Sequence, residues 1–249
     1  MKIILSPAKK MIADTDNIAP VELPAFIDKT AEILGWMKSK SKEELKVIWK
    51  CNDKIAEQNF NRLETMDLYN RLTPAVLAYE GIAFQYMAPA VFEIQQFEYL
   101  QNHLRILSAF YGILKPLDGV TPYRLEMQAK AEIEETTNLY DYWGDRLYHS
   151  VIDDSRTIIN LASREYAKCI ERYLSDKDNY ITITFCELSG DKIVTKGTYA
   201  KMARGEMVRF MAENNIENLV EIQKFDRFGY SFRSDLSSDS EYVFERKIQ

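Results

Sequence analysis

YITITFCELSGDKIVT, residues 180–195, decides the architecture. Residues 180–186 are rich in β-branched and aromatic side chains and read as a strand. Ser189-Gly190-Asp191 is a turn, and residues 192–195 run back along the strand as a hairpin. A hairpin requires an antiparallel pair. Upstream, KIIL at 2–5 is a short buried strand stopped by Pro7, and LRILS (104–108) and TIINL (157–161) are further strands. Between them, helical periodicity runs from 24 to about 60, with Ser41 and Glu44 forming a capping box, and Pro74 sits in the first turn of another helix. Residues 162–174 and 198–214 are helical, and 230–232 and 241–244 are late strands. Residues 11–22 form a connecting loop and 234–240 a flexible one. Strands and helices interleave irregularly around at least one hairpin. The expected fold is therefore α+β, a mixed sheet surrounded by helices in a single compact domain over 1–249.

The bulk properties agree with an ordinary globular chain. Of 249 residues, 46% are apolar and 28% charged. A chain this long buries roughly 75% of its extended surface, so no disulfide or metal is required for stability. Cys51, Cys169 and Cys186 share no C-x-x-C spacing and read as reduced thiols. The apolar run Ile3 to Leu5 is too short for a secretory signal, and nothing approaches a spanning helix. A cytoplasmic location without membrane contact follows as the expectation. The net charge is −6, with the acidic excess in the second half of the chain. That argues against a general polyanion binder and leaves room for a local basic cleft.

Two segments carry candidate binding residues. Residues 198–214, TYAKMARGEMVRFMAEN, form an amphipathic helix with Lys201, Arg204, Gly205 and Arg209 on one side and Tyr199, Met202, Ala203, Met207 and Phe210 on the other. A glycine inside a helix costs about 1 kcal/mol relative to alanine. Gly205 beside two cations therefore marks a close approach, either of a phosphate or of another backbone. HLRILSAFYGILKPLDGVTPYRLEM, residues 103–127, sets Arg105, Lys115 and Arg124 in a strand followed by a Gly- and Pro-rich loop, with Tyr111 and Tyr123 for stacking on a base. A helix-hairpin-helix can be drawn around Phe110 to Ile113, although its hairpin has one glycine where that motif prefers two. Ser6-Pro7-Ala8-Lys9 spells S-x-x-K, but without S-D-N or K-T-G it is no β-lactamase site. It is better read as a strand-end loop that puts Ser6 in a cleft and Lys9 against an anion. His103 and His149 lie far apart and no ligand pattern joins them, and the acidic run Glu132, Glu134, Glu135 reads as a solvated helix face. No metal site is expected. Without G-x-G-x-x-G or a Walker loop, no nucleotide cofactor is expected either.

Several of these blocks together resemble one family. SPAK at 6–9, the long block at 103–127, LYDYWGDRL at 139–147, INLASREYAK at 159–168, KMARG at 201–205 and the ending SEYVFER are similar to the signatures of the bacterial YaaA peroxide-stress family. The resemblance implies a compact cytoplasmic α/β protein of the response to hydrogen peroxide, associated with limiting free iron and with DNA binding through a positively charged cleft. The basic members of the matching blocks are Lys9, Arg105, Lys115, Arg124, Lys201 and Arg204. The expected partner is DNA. The alternative is an enzyme acting on a nucleotide, nucleobase or other phosphorylated small molecule in a pocket lined by Ser6, Lys9, Tyr123, Arg124, Lys201 and Arg204. No catalytic residue is assigned.

Overall fold

A computed structural model describes residues 1–15, 18–189 and 192–247. Its centre is β1 (Lys2–Leu5), fully buried from Ile3 onward. β1 pairs in parallel with β2 (Leu104–Ser108) on one side and with β4 (Thr157–Asn160) on the other. β3 (Gly112–Leu114) folds back antiparallel on β2. Beyond β4 come β5 (Asn179–Ser189) and β8 (Glu241–Arg246), both parallel, and then β7 (Tyr230–Phe232), antiparallel to β8. β6 (Lys192–Val194) pairs antiparallel with the end of β5 through Val194↔Glu187 and Ile193↔Leu188. The sheet order is β7-β8-β5-β4-β1-β2-β3, with β6 attached to β5. It is mixed, as residues 180–195 required. Gly190 and Asp191 of the expected turn lie outside the described residues, as do Asp16 and Asn17 of the 11–22 loop.

The helical stretch after Pro24 resolves into α1 (Ile27–Lys38), α2 (Lys42–Trp49) and α3 (Asp53–Glu64). The Ser41/Glu44 capping box opens α2: Glu44 N donates to Ser41 Oγ at 3.2 Å and Ser41 N to Glu44 Oε2 at 2.7 Å. α4 (Ile82–Met87), α5 (Ile94–His103), α6 (Arg164–Glu171) and α7 (Gly197–Glu213) follow. Their buried side chains join those of the sheet in one continuous apolar cluster.

Four local expectations are corrected. Pro74 pairs with Gly119 in a two-residue bridge and precedes a single helical turn, because its fixed φ suits extended backbone equally well. The region around Phe110 to Ile113 is a β-hairpin, with Gly112 at φ +74° and these side chains buried. It is no helix-hairpin-helix. Residues 234–240 are tied down, with Ser237 Oγ donating to Arg233 O at 2.7 Å and accepting from Val243 N at 2.9 Å. Glu134 and Glu135 sit on a turn bracketed by an Ile133↔Thr136 bridge, with Glu132 just before it, and none of the three is on a helix.

Candidate functional site

The chain leaves β1 towards β2 on one side of the sheet and later returns through β4 on the other. The order of strands therefore reverses between β1 and β4. Crevices form outside the carboxyl ends of parallel strands at such a switch point. A cavity of about 480 Å³ opens there. Leu5, Ala8, Ile82, Phe84, Leu125 and Leu161 supply apolar wall.

Two strand-end loops form the base. Because β1 and β4 are parallel neighbours, the residues that follow them lie side by side. Ser6 Oγ accepts from Ser163 N at 2.8 Å and donates to Ser163 Oγ at 3.1 Å. The Ser6–Lys10 loop lies against α4 through Gly81, where a Cβ would meet Ala8 Cβ at 2.6 Å. Tyr123 closes another side. Ser108 Oγ accepts from Phe110 N (3.2 Å) and Tyr111 N (2.9 Å), which uses both its lone pairs. It therefore donates to Tyr123 OH at 2.7 Å, and the Tyr123 and Tyr79 hydroxyls are hydrogen-bonded to each other at 3.0 Å. Burial pushes the Tyr123 phenol up to about 12, so it stays protonated at neutral pH.

The charged lining is unevenly neutralised. Lys9 Nζ pairs with Glu126 Oε2 and Lys10 Nζ with Glu80 Oε2, each at 2.8 Å. Arg124 Nη2 stands 3.5 Å from Glu126 Oε1, and its Nε is buried without a hydrogen bond. From α7 come Lys201 and Arg204. Among the described residues neither has an ion pair or a hydrogen-bonded side-chain partner, and Arg204 Nε is buried. Burial alone, with no facing carboxylate, holds the Arg204 guanidinium below its ordinary value. The desolvated Nε has no acceptor among the described residues, which costs on the order of 1 kcal/mol.

Six sequence-derived candidates meet in this cavity: Ser6, Lys9, Tyr123, Arg124, Lys201 and Arg204. The others do not line it. Arg105 is half-buried and donates to Gln101 O at 3.0 Å and Leu104 O at 2.8 Å. Lys115 pairs with Glu22 at 2.6 Å. Arg209 pairs with Glu213 at 2.7 Å on another side of α7. Tyr111 is buried, its hydroxyl donating to Thr121 O at 3.2 Å and accepting from Thr121 N at 3.0 Å. Gly205 marks the approach of a backbone and not of a ligand, since a Cβ there would lie 1.9 Å from Ala83 O of α4. Arg204, on the basic side of the helical wheel, is largely covered, because α4 packs across that side of α7.

Ser163, Glu165 and Tyr166 line the cavity and were not singled out. The signal was present. TIIN followed by LASRE has the same form as KIIL followed by SPAK, a short buried strand running into a serine-bearing loop.

Among the described residues no helix is long and apolar enough to cross a membrane. Among the same residues no group of three or more His, Cys, Asp or Glu comes together as a metal would require.

The family model described as peroxide stress protein YaaA matches residues 1–236. A UPF0246 protein of Agathobacter rectalis is 82% identical over 248 residues, covering 100% of both chains. UPF0246 proteins of Lachnoclostridium phytofermentans and Desulfitobacterium hafniense are 52% and 51% identical, covering 98% and 100% of this chain and 96% and 99% of theirs. This chain belongs to the YaaA (UPF0246) family of peroxide stress proteins.

Proposed function

We propose that the β1/β4 cavity binds, and acts on, a nucleotide or other phosphorylated small molecule in the cytoplasm. One observation carries this reading. Arg204 is a largely covered arginine with a buried Nε and, among the described residues, no counter-charge, beside an equally unpartnered Lys201, in a cavity of about 480 Å³. An anion entering the cavity offsets the desolvation that the fold imposes on that arginine. The volume is typical of a small-molecule site. Apolar wall beside the charges suits a ring attached to the anionic group.

DNA remains a second reading, supported by the same basic residues in a narrower form. The cavity suits one extruded nucleotide or a strand end, and not a duplex lying across it. Effects on free iron are read as downstream of this binding.

The test is titration of ribose 5-phosphate, AMP and labelled duplex DNA into the wild type and into the Lys201→Ala and Arg204→Gln variants. Micromolar binding of a small phosphate, weakened at least tenfold in folded Arg204→Gln, is expected. Duplex binding with a log–log salt slope of about −5, as six phosphate contacts give, together with no small-ligand binding, would overturn the small-molecule reading.

A further inference from the structure

Subtracting the ion pairs from the lining leaves a pattern. Lys9 and Lys10 are matched by Glu126 and Glu80 at 2.8 Å each. Arg124 shares Glu126 at 3.5 Å. On the α7 side Lys201 and Arg204 remain without partners. On the α6 side, at the end of β4, one carboxylate remains. Glu165 lines the cavity, and no cation stands within ion-pair distance of it among the described residues. Its Oε1 accepts from Gln128 N at 3.1 Å, which fixes the carboxylate, while Oε2 has no partner among the described residues. A simple anion would satisfy α7 and leave Glu165 unmatched in the same cavity.

We infer that the ligand is bipolar, a phosphate-bearing molecule that also carries an amino group, with the phosphate on Lys201 and Arg204 and the amino group donating to Glu165 Oε2. The inference rests on the proposed anion site and extends it to the ligand's other end. Two sources offer that chemistry: the exocyclic amine of a nucleobase, and the ammonium of a phosphorylated alkylamine.

The experiment compares calorimetric affinities of AMP, CMP and phosphoethanolamine with those of ribose 5-phosphate and inorganic phosphate, in the wild type and in Glu165→Gln. Glutamine keeps an oxygen for Gln128 N, so the loop stays anchored, but it turns an amide N–H₂ towards the ligand's amino group. At least one amino-bearing probe is expected to bind at least tenfold tighter than ribose 5-phosphate. That advantage should vanish in Glu165→Gln, while the ribose 5-phosphate affinity stays within twofold. Preference for AMP or CMP identifies a nucleobase, and preference for phosphoethanolamine an alkylamine. If amino-bearing probes bind no tighter than ribose 5-phosphate, or keep their advantage in the variant, the bipolar ligand is wrong while the anion site stands. If no phosphate probe binds at all, the anion site falls and the bipolar ligand with it.

Discussion

Arg204 and Asp118 are buried charges of opposite kinds. Arg204 has a cavity in front of it. Replacing it with glutamine removes a desolvated charge that no carboxylate compensates, so the ligand-free protein should melt no lower than the wild type and gain up to about 1 kcal/mol. The same change should cost at least about 1.4 kcal/mol, a factor of ten, in phosphate affinity. Melting curves with and without ligand read both effects. A variant that loses stability and keeps affinity would make Arg204 a packing residue. Asp118 does not line that cavity. It is 3% exposed, its Oδ2 accepts from Lys115 N at 2.8 Å, and its Oδ1 has no partner. Burial pushes its carboxyl from 3.8 up to about 7. Between about pH 4 and pH 7 the unfolded chain has released this proton and the folded chain still holds it, so the group lowers stability as pH rises through that window. Relative to Asp118→Asn, the wild type should lose on the order of 2–4 kcal/mol between pH 4 and pH 8. Urea unfolding at several pH values measures the difference, and parallel curves for the two proteins would contradict it.

At the level of elements, the glycines separate close packing from open space. A Cβ on Gly205 runs into Ala83 O, so Gly205→Ala must push α7 off α4. Overpacking of this kind typically costs about 1–3 kcal/mol, and it also displaces the helix that carries Lys201 and Arg204. A lower melting temperature together with weaker phosphate binding is expected. Gly35, inside α1, has nothing within 4 Å of a Cβ. Gly35→Ala should therefore stabilise by about 0.5–1 kcal/mol through helix propensity alone and leave binding unchanged. If both alanines behave alike, the close α4–α7 crossing is not real. The elements themselves were largely legible in the sequence. The β-branched runs and the Ser41 capping box carry their own local chemistry, and β1, α2 and β5 lie where those signals put them. Residues 110–113 were open to misreading because a buried tight turn and a helical hairpin both want a glycine. Only the pairing of β3 with β2 distinguishes them.

On the scale of the whole molecule, what the sequence withheld is which candidates meet. Lys9, Arg124 and Lys201 are far apart in the chain and converge because β1 sits mid-sheet with β4 beside it and α7 crosses the opening through α4. Arg105 and Arg209 are equally basic, but their local partners, the Gln101 carbonyl and the Glu213 carboxylate, claim them. The TIIN–LASRE pattern marks Ser163 and Glu165 as strand-end loop residues, but that they share a cavity with Ser6 follows only from β4 neighbouring β1, since a single sequence does not state strand order. The same topology makes the Arg105 side chain a control, because it is a half-buried arginine of the same sheet that lies outside the cavity. The most direct measurement is therefore a phosphorus NMR titration of ribose 5-phosphate with wild type, Arg204→Gln and Arg105→Gln at about 150 mM salt, where long-range charge effects are screened. Saturable binding to the wild type and to Arg105→Gln, weakened at least tenfold in folded Arg204→Gln, is the expected result. Equal binding to all three proteins, or binding to none, would contradict an anion site between β1 and β4.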